Sequence, residues 1–363
     1  MTNKFFILIL FIAVALITSC SNDDDGPQGP IEVTIEGATL APSVGGPNQG
    51  NQVYIDLSTS ETTSVRRDSW DLGFYSGSDF RVVLNSAVYM AAAELNTTDI
   101  DAVNSSITEV SSIQPLVAVG TFQSESAAYV DNPNGDLSGT AIAPISATDD
   151  ANKVYLVNLG DEIGTETPST GNVDISDGPR GWMKIRILRE GNDYVVQYAD
   201  LDATTHNEVT ISKNTDYNFT FFSLVNGSEV LVEPMKTEWD IVFTVFTNEI
   251  TGFGPYGFAD YVVNNIKNDA KVYMIDTEDE GTLAYEDFSI IDVNDTLFSN
   301  DRRVIGNSWR NGGGPGTLPS LKENVYYIIN DANGNYYKLK FLAMFDTDGN
   351  RGYPQFEYSL LED

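Results

Sequence analysis

The side chains that most often perform catalytic or metal chemistry are scarce in this sequence. The 363 residues include one histidine, His206, and one cysteine, Cys20. A serine-type catalytic triad needs a histidine base, and a zinc site needs a cluster of histidine or cysteine ligands, so neither is predicted. The glycine-rich stretch 312–316 lacks the lysine and the hydroxyl residue that complete a phosphate-binding loop. The sequence therefore predicts a protein that is not an enzyme.

Cys20 is placed for a different reaction, the attachment of a diacylglycerol group to its thiol. Lys4 precedes the apolar run Phe5–Ile17, which is too short to span a bilayer comfortably. The segment Leu16–Cys20 then combines branched and small residues with the cysteine, and it resembles a bacterial lipobox. We therefore predict a lipoprotein signal peptide over residues 1–20 and lipidation of Cys20.

The residues after the cysteine indicate where the lipoprotein is displayed. The acidic cluster Ser21–Asp25 resembles the surface-export signal of Bacteroidota lipoproteins, and Gly26–Pro30 reads as a flexible spacer. Residues 21–30 are therefore predicted to be a tether. The expected location is the outer membrane, through a lipid anchor, with the folded part exposed at the cell surface.

The charge of the chain excludes nucleic acid as a partner. Lys and Arg number 20 against 53 Asp and Glu, which gives a formal net charge of -33. Such a field repels phosphate backbones. Because the acidic residues are spread along the chain, their main role is predicted to be a well-solvated surface.

An internal repeat defines the elements that must position any site. Short alternating segments typical of half-buried strands occur twice and in the same order. The matching pairs are Val33–Ile35 with Val209–Ile211, Trp70–Phe74 with Trp239–Phe243, and Lys184–Ile187 with Lys338–Phe341. We therefore predict an all-β fold of two related antiparallel β-rich domains, residues 31–205 and 206–363, with few short helices. One such helix is expected within Ser86–Leu95.

The repeated Trp-Asp segments carry the most conspicuous side chains. Strand alternation predicts that Trp70 lies on the same face as Leu72 and Phe74. The same pattern in the second copy places Trp239 with Ile241 and Phe243. The two tryptophans are therefore predicted to be core anchors or the walls of a ligand cleft.

The order of these elements resembles the HmuY family of haem-binding lipoproteins. The first copy carries the pattern in Arg67–Tyr75 and Phe80–Asn85. The second copy carries it in Val209–Ile211, Phe221–Ser223, Gly227–Val230, Trp239–Ile241, Val325–Ile328 and Asp331–Asn335. The resemblance implies two tandem copies of an all-β fold that capture haem or porphyrin for iron acquisition. It also implies host haemoproteins and a TonB-dependent receptor as partners.

The family resemblance also indicates where a haem ligand would lie. Its first axial ligand, a histidine, follows the Trp-Asp strand, where this chain has Tyr75 in one copy and Thr244 in the other. Tyrosinate and thioether groups can also bind haem iron. The candidate haem ligands are therefore Tyr75, Met90 and Met274, and no other metal site is predicted.

Two alternatives remain open at this point. The missing histidines favour a non-enzymatic adhesion or ligand-binding module that has kept the fold and lost haem ligation. The abundance of carboxylates also permits pairs such as Asp276 and Glu278, which a glycoside hydrolase would use. Such pairs are expected by chance in so acidic a chain.

Overall fold

A computed structural model describes residues 36–314 and 316–362 of the chain. Cys20, the predicted signal peptide and tether, and the opening segment Val33–Ile35 lie outside these residues. Within them no helix is both long and apolar enough to cross a membrane. The predicted all-β architecture with few short helices is confirmed.

The regular elements are mostly strands. The strands are β1 (Gly37–Leu40), β2 (Asn51–Ile55), β3 (Thr62–Arg66), β4 (Leu72–Tyr75), β5 (Val82–Leu84), β6 (Ala91–Glu94), β7 (Val154–Asn158), β8 (Trp182–Glu190), β9 (Asp193–Asp200), β10 (Asn207–Ile211), β11 (Phe219–Ser223), β12 (Ser228–Val230), β13 (Ile241–Ile250), β14 (Gly254–Asn264), β15 (Lys271–Asp276), β16 (Arg310–Asn311), β17 (Ser320–Leu321), β18 (Val325–Asn330), β19 (Tyr336–Phe345) and β20 (Arg351–Leu360). The helix α1 covers Thr108–Ile113, and short 3-10 helices cover Gly46–Asn48, Ser86–Val88, Ser124–Tyr129, Leu137–Gly139, Asp149–Ala151, Ile266–Asn268, Tyr285–Asp287, Ile290–Asp292 and Asp295–Leu297.

Four antiparallel sheets pack into two sandwiches. Sandwich 1 combines the sheet β12-β11-β4-β5 with the sheet β10-β9-β8-β7-β6, around a buried cluster that includes Phe74, Tyr194 and Phe222. Sandwich 2 combines β14-β13-β2-β3 with β1-β20-β19-β18-β15, around a cluster that includes Trp309 and Phe341. Each sandwich therefore has its own hydrophobic core, as two-layer β domains require.

The two copies exchange their first strands. The hairpin β2–β3 belongs to the first copy but pairs with β13 of the second, with Ile55 opposite Ile241. The hairpin β11–β12 belongs to the second copy but pairs with β4 of the first, with Phe222 opposite Leu72. Likewise β10 pairs with β9, and β1 pairs with β20. Strand pairing therefore crosses the boundary that the sequence repeat suggests near residue 205.

The aspartates of the two Trp-Asp segments, Asp71 and Asp240, hydrogen-bond to the exchanged hairpins. The Asp71 carboxylate accepts the amide hydrogen of Leu224 at 2.7 Å, and the Asp240 carboxylate accepts that of Leu57 at 2.9 Å. Leu224 directly follows β11, and Leu57 lies two residues beyond the end of β2. Because each buried amide gains a carboxylate partner, the two contacts fix the register of the exchange at equivalent places.

Two asparagines also make equivalent hydrogen bonds in the two copies. The Asn85 side chain donates to the carbonyl of Trp70 at 2.7 Å, and the Asn265 side chain donates to the carbonyl of Trp239 at 3.0 Å. Both asparagines are almost fully buried. The two Trp-Asp segments are therefore held by equivalent hydrogen bonds, and both tryptophans belong to the same buried cluster.

The helix predicted within Ser86–Leu95 is wrong beyond its first turn. Ser86–Val88 forms a 3-10 helix whose N-cap, Asn85, accepts the amide hydrogen of Ala87. Tyr89 then takes a left-handed backbone conformation with φ 68°. Ala91–Glu94 continues as β6, paired with β7. Pairing with a neighbouring strand thus overrides the helical preference of the alanines.

The predicted common face of the tryptophans and their following residues is also wrong. Trp70 lies in a different cluster from Leu72 and Phe74, which face the core of sandwich 1. The reason is that β4 begins only at Leu72, after a bend at Asp71, so strand alternation does not extend back to the tryptophan. Trp239 is arranged in the same way, and both indoles leave their own sandwich core.

Candidate functional site

The two tryptophans meet at one cavity between the four-stranded sheets of the two sandwiches. This cavity, here called the aromatic cleft, has a volume of about 110 Å³. Its aromatic walls are Tyr54, Trp70, Phe219, Phe221, Trp239 and Phe246. Both copies contribute to the walls, so the cleft exists only because the hairpins are exchanged.

The walls are built from edge-to-face ring pairs. Trp70 packs on Phe221 with ring centroids 4.7 Å apart, and Trp239 packs on Tyr54 at 5.1 Å. In each pair the tryptophan and its partner come from different copies. Such pairs leave ring faces and edges available to a ligand while fixing the rings in place.

The indole N–H groups of the two tryptophans differ in their partners. The Trp70 indole N–H donates to Gln52 Oε1 at 2.9 Å, and the Gln52 amide in turn donates to Thr244 at 3.3 Å. The Trp239 indole N–H is buried without a hydrogen-bond partner among the described residues. The pairing registers make Phe219 of β11 and Gln52 of β2 equivalent residues in the two copies. Phe219 therefore occupies the position relative to Trp239 that Gln52 occupies relative to Trp70. A phenyl ring offers no such acceptor, so this donor is left unsatisfied.

A buried carboxyl group lies in the same cleft. Glu233 is 3% exposed, and its Oε1 accepts the amide hydrogen of Phe219 at 2.8 Å. Burial raises the pKa of Glu233 to about 8, although hydrogen bonds from Phe219 and Asn218 act in the opposite direction. No described cationic side chain forms an ion pair with this carboxyl group. Glu233 is therefore mostly protonated at neutral pH.

A second buried carboxyl group, that of Asp131, also lines the cleft. Asp131 accepts amide hydrogens from Leu84 at 2.7 Å and from Ala141 at 2.9 Å. Desolvation nevertheless raises the pKa of Asp131 to about 6, while those hydrogen bonds and the nearby Arg302 guanidinium lower it. Arg302 stacks over the Phe246 ring at 4.8 Å from its centroid. Unlike Glu233, Asp131 has a cation nearby.

The raised pKa of Glu233 predicts how stability depends on pH. Because the folded pKa of about 8 exceeds the ordinary value of 4.5, this group stabilises the fold most at low pH. The contribution is lost as pH rises through 8. Relative to a Glu233→Gln variant, the wild-type protein is expected to lose on the order of 3 kcal/mol between pH 5 and pH 8.5.

Urea denaturation of both proteins at the two pH values measures this difference. The glutamine variant keeps the shape of the side chain but cannot ionise, so pH effects from other groups cancel in the comparison. A stability difference that is the same at pH 5 and pH 8.5 would show that Glu233 does not have a raised pKa.

The structure places the predicted site residues in different surroundings. Trp70 and Trp239 line the cleft together, and Thr244 joins them there. The candidate haem ligands do not line it. Tyr75 ends β4 and contacts the Phe219 ring at 5.7 Å between centroids.

The two methionines lie apart from each other. Met90 is 1% exposed in the core of sandwich 1, and Met274 is 41% exposed on β15 of sandwich 2. The lone histidine, His206, pairs with Asp101 at 2.9 Å. Within residues 36–314 and 316–362, no group of three or more histidine, cysteine, aspartate or glutamate side chains could hold a metal ion.

Sequence reasoning missed the polar residues of the cleft. Glu233 lies between the repeated segments without any local pattern, so nothing in the sequence distinguishes it from the other acidic residues. Asn264 also lines the cleft, and its Oδ1 is buried without a hydrogen-bond partner in the described part of the chain. A signal did exist for its neighbour Asn265, because Asn85 occurs at the equivalent place in the first copy.

The residues of the cleft do not fit a coordinated haem iron. They include no imidazole, thiolate or thioether side chain. The one phenol of the cleft, Tyr54, has a pKa raised well above its ordinary value by burial and by Glu233, so tyrosinate is disfavoured. The aromatic walls suit the apolar face or edge of a flat ring, but not an axial bond to iron.

Comparison with known proteins identifies the family. The family model described as HmuY protein matches residues 48–212 and 215–358, whereas no curated protein matches. Apo PinO from Porphyromonas gingivitis is 16% identical, with 48% of this chain and 94% of that chain covered and a TM-score of 0.23.

Two longer solved structures cover most of the chain. A protein described as HmuY-like and heme-binding, from Bacteroides vulgatus, is 9% identical, with 92% of this chain and 97% of that chain covered and a TM-score of 0.23. The apo HmuY analog of Tannerella forsythia is 9% identical, with 90% and 96% covered and a TM-score of 0.24. Because the family model matches most of the sequence in two successive segments, the chain belongs to the HmuY family and carries two copies of it in tandem.

Proposed function

We propose that this chain is a non-enzymatic binding protein, tethered to the outer membrane through Cys20, which captures a haem- or porphyrin-type ring at the cell surface for iron acquisition. Membership of the HmuY family supports this ligand class. The structural observation that carries the proposal is that Trp70 and Trp239, one from each copy, line a single cleft. Host haemoproteins would supply the ring, and a TonB-dependent receptor would accept it.

The proposed contact is between rings and not through iron. The cleft offers six aromatic side chains, and aromatic faces attract flat apolar rings by burial and by offset stacking. At about 110 Å³ it is smaller than the roughly 300–1,000 Å³ usual for small-molecule sites. The ring would therefore enter by one edge, or the two sandwiches would separate slightly to admit it.

A paired titration tests this function. Hemin and iron-free protoporphyrin are added to the protein without residues 1–20, and tryptophan emission and absorption are followed. Because no axial ligand lies in the cleft, we expect both rings to quench the emission with affinities within about threefold of each other, a difference smaller than about 1 kcal/mol. If neither ring quenches the emission, the haem and porphyrin function must be abandoned.

A second function is favoured by the small volume of the cleft. A binding or adhesion module that lost haem ligation would take a smaller ligand at the same place. It predicts saturable binding of a compact ligand together with no response to either tetrapyrrole. Strong preference for hemin over protoporphyrin, with a Soret shift, would exclude this second function.

A further inference from the structure

We propose that the aromatic cleft binds a small organic amine that carries a hydroxyl or carbonyl oxygen on a neighbouring carbon. This inference goes beyond capture of a tetrapyrrole, and it rests on the proposed function only in taking the cleft as the ligand site. It is carried by three polar groups of the cleft. One is a buried carboxyl group without a cationic partner, and the other two are buried polar atoms without a hydrogen-bond partner among the described residues.

The first group is the Glu233 carboxyl, which has no cationic partner in the part of the chain that the structure describes. The other two carboxylates of the cleft, Asp131 and Asp136, interact electrostatically with Arg302 and Lys267 respectively. Glu233 is 3% exposed and receives only neutral donors. An ammonium group that enters the cleft would favour the ionised form of this carboxyl and gain a charge-assisted hydrogen bond with it.

The second group is the Trp239 indole N–H. Its ring is 9% exposed, and the N–H has no acceptor in the described chain. The equivalent N–H of Trp70 has the Gln52 amide oxygen as its acceptor. Since an indole N–H can only donate, a ligand that satisfies it must present an oxygen or another acceptor.

The third group is the Asn264 side-chain oxygen. Its amide nitrogen donates to the carbonyl of Ala270 at 2.6 Å, but the oxygen is buried without a donor among the described residues. Asn264 is 2% exposed. An ammonium group has three N–H donors, so it can serve both this oxygen and the Glu233 carboxyl.

Hydrogen bonds hold these groups in one region. The Asn218 side chain donates to Asn265 Oδ1 at 3.0 Å and also hydrogen-bonds Glu233. Asn265 donates onward to the carbonyl of Trp239 and is the chain neighbour of Asn264. This chain of contacts connects Glu233 with the backbone of Trp239 and with the residue next to Asn264, and all three residues line the cleft.

The walls and volume set the size of the ligand. Aromatic faces attract a cation that lies within about 6 Å of the ring centroid, so the six rings favour an amine over a neutral body. A cavity of about 150 Å³ holds benzene, and this cleft measures about 110 Å³. A ligand with a short branched hydrocarbon, an amine and one oxygen matches both requirements.

Valinol serves as the probe, with two analogues that each lack one group. The analogue 3-methylbutan-1-ol lacks the amine, and 3-methylbutan-2-amine lacks the hydroxyl. Affinities are measured by NMR titration with the wild-type protein and with the Glu233→Gln and Trp239→Phe variants. Glu233→Gln nearly keeps the side-chain shape, and Trp239→Phe keeps an aromatic ring but removes the indole N–H. Chemical shifts elsewhere report whether each variant remains folded.

We expect Glu233→Gln to weaken valinol about tenfold or more and to leave the alcohol analogue unchanged. We expect Trp239→Phe to weaken valinol about threefold and to leave the amine analogue unchanged. Absence of saturable valinol binding, or equal binding of valinol and the alcohol analogue, would overturn the inference. Quenching by protoporphyrin without valinol binding would overturn this inference alone, whereas the reverse result would overturn only the tetrapyrrole function.

Discussion

Cutting the chain between residues 205 and 206 is expected to give two fragments that reach the native fold only together. In the intact protein, four strand pairings cross this boundary: β1 with β20, β2 with β13, β4 with β11, and β9 with β10. Each separate fragment would leave these edges unpaired, together with the apolar rings of the cleft. Mixing the fragments should restore a one-to-one complex.

Size-exclusion chromatography with light scattering, combined with tryptophan emission, measures this outcome. Fragments 21–205 and 206–363 are refolded separately and then together. We expect aggregation or loss of native emission for each fragment alone, and recovery of the native emission in the mixture. A cut at the tip of the β19–β20 hairpin, between Gly349 and Asn350, is a control that keeps the β2–β13, β4–β11 and β9–β10 pairings within one fragment. Two folded monomeric fragments that do not bind each other would contradict the exchange.

Replacing the two equivalent aspartates by asparagine is expected to have very different effects. Asp71 is fully buried and pairs with the Arg180 guanidinium at 2.8 Å, in addition to accepting the Leu224 amide hydrogen. Asp71→Asn leaves a buried guanidinium without its carboxylate. Breaking a buried pair in this way costs about 3–5 kcal/mol of unfolding free energy.

Asp240 occupies the equivalent place, and no cationic side chain among the described residues forms an ion pair with it. Burial, together with Asp331 and Asp56, raises the pKa of Asp240 well above its ordinary value, which favours the neutral form of the carboxyl. An asparagine oxygen can accept the Leu57 amide hydrogen equally well. Asp240→Asn is therefore expected to change the unfolding free energy by less than about 1 kcal/mol.

Guanidinium denaturation at pH 7 compares the two variants directly. Asp68→Asn is a useful control, because its pair with Arg66 is on the surface and should contribute less than about 1 kcal/mol. Similar losses for Asp71→Asn and Asp240→Asn would mean that the arginine does not stabilise the first copy as the structure indicates.

The sequence predicts the strands of this fold better than it predicts which strands pair with each other. The repeated Trp-Asp and Lys-apolar-basic-apolar segments correspond to equivalent strands, and their spacing identified two copies. Pairing across copies could not be predicted, because a hairpin such as β2–β3 presents the same apolar face to either Trp-Asp strand. The choice depends on long-range contacts such as that between Asp240 and Leu57.

The site was predicted in its aromatic part and missed in its polar part. A tryptophan that recurs in both copies is a strong signal, and both indeed line the cleft. Their direction could not be predicted, because a bend at Asp71 or Asp240 reverses the face on which the preceding side chain lies. The raised pKa of Glu233 and, among the described residues, the unpaired oxygen of Asn264 both result from burial, which a single sequence does not reveal.

The most direct test of a single site shared by both copies is the number of ligands that one chain binds. Protoporphyrin is titrated into the wild-type protein and into the Trp70→Phe and Trp239→Phe variants, and the stoichiometry is read from tryptophan quenching and equilibrium dialysis. A shared cleft predicts one ring per chain, with weaker binding in both variants. Two rings per chain, with each substitution affecting only one of them, would contradict the shared site.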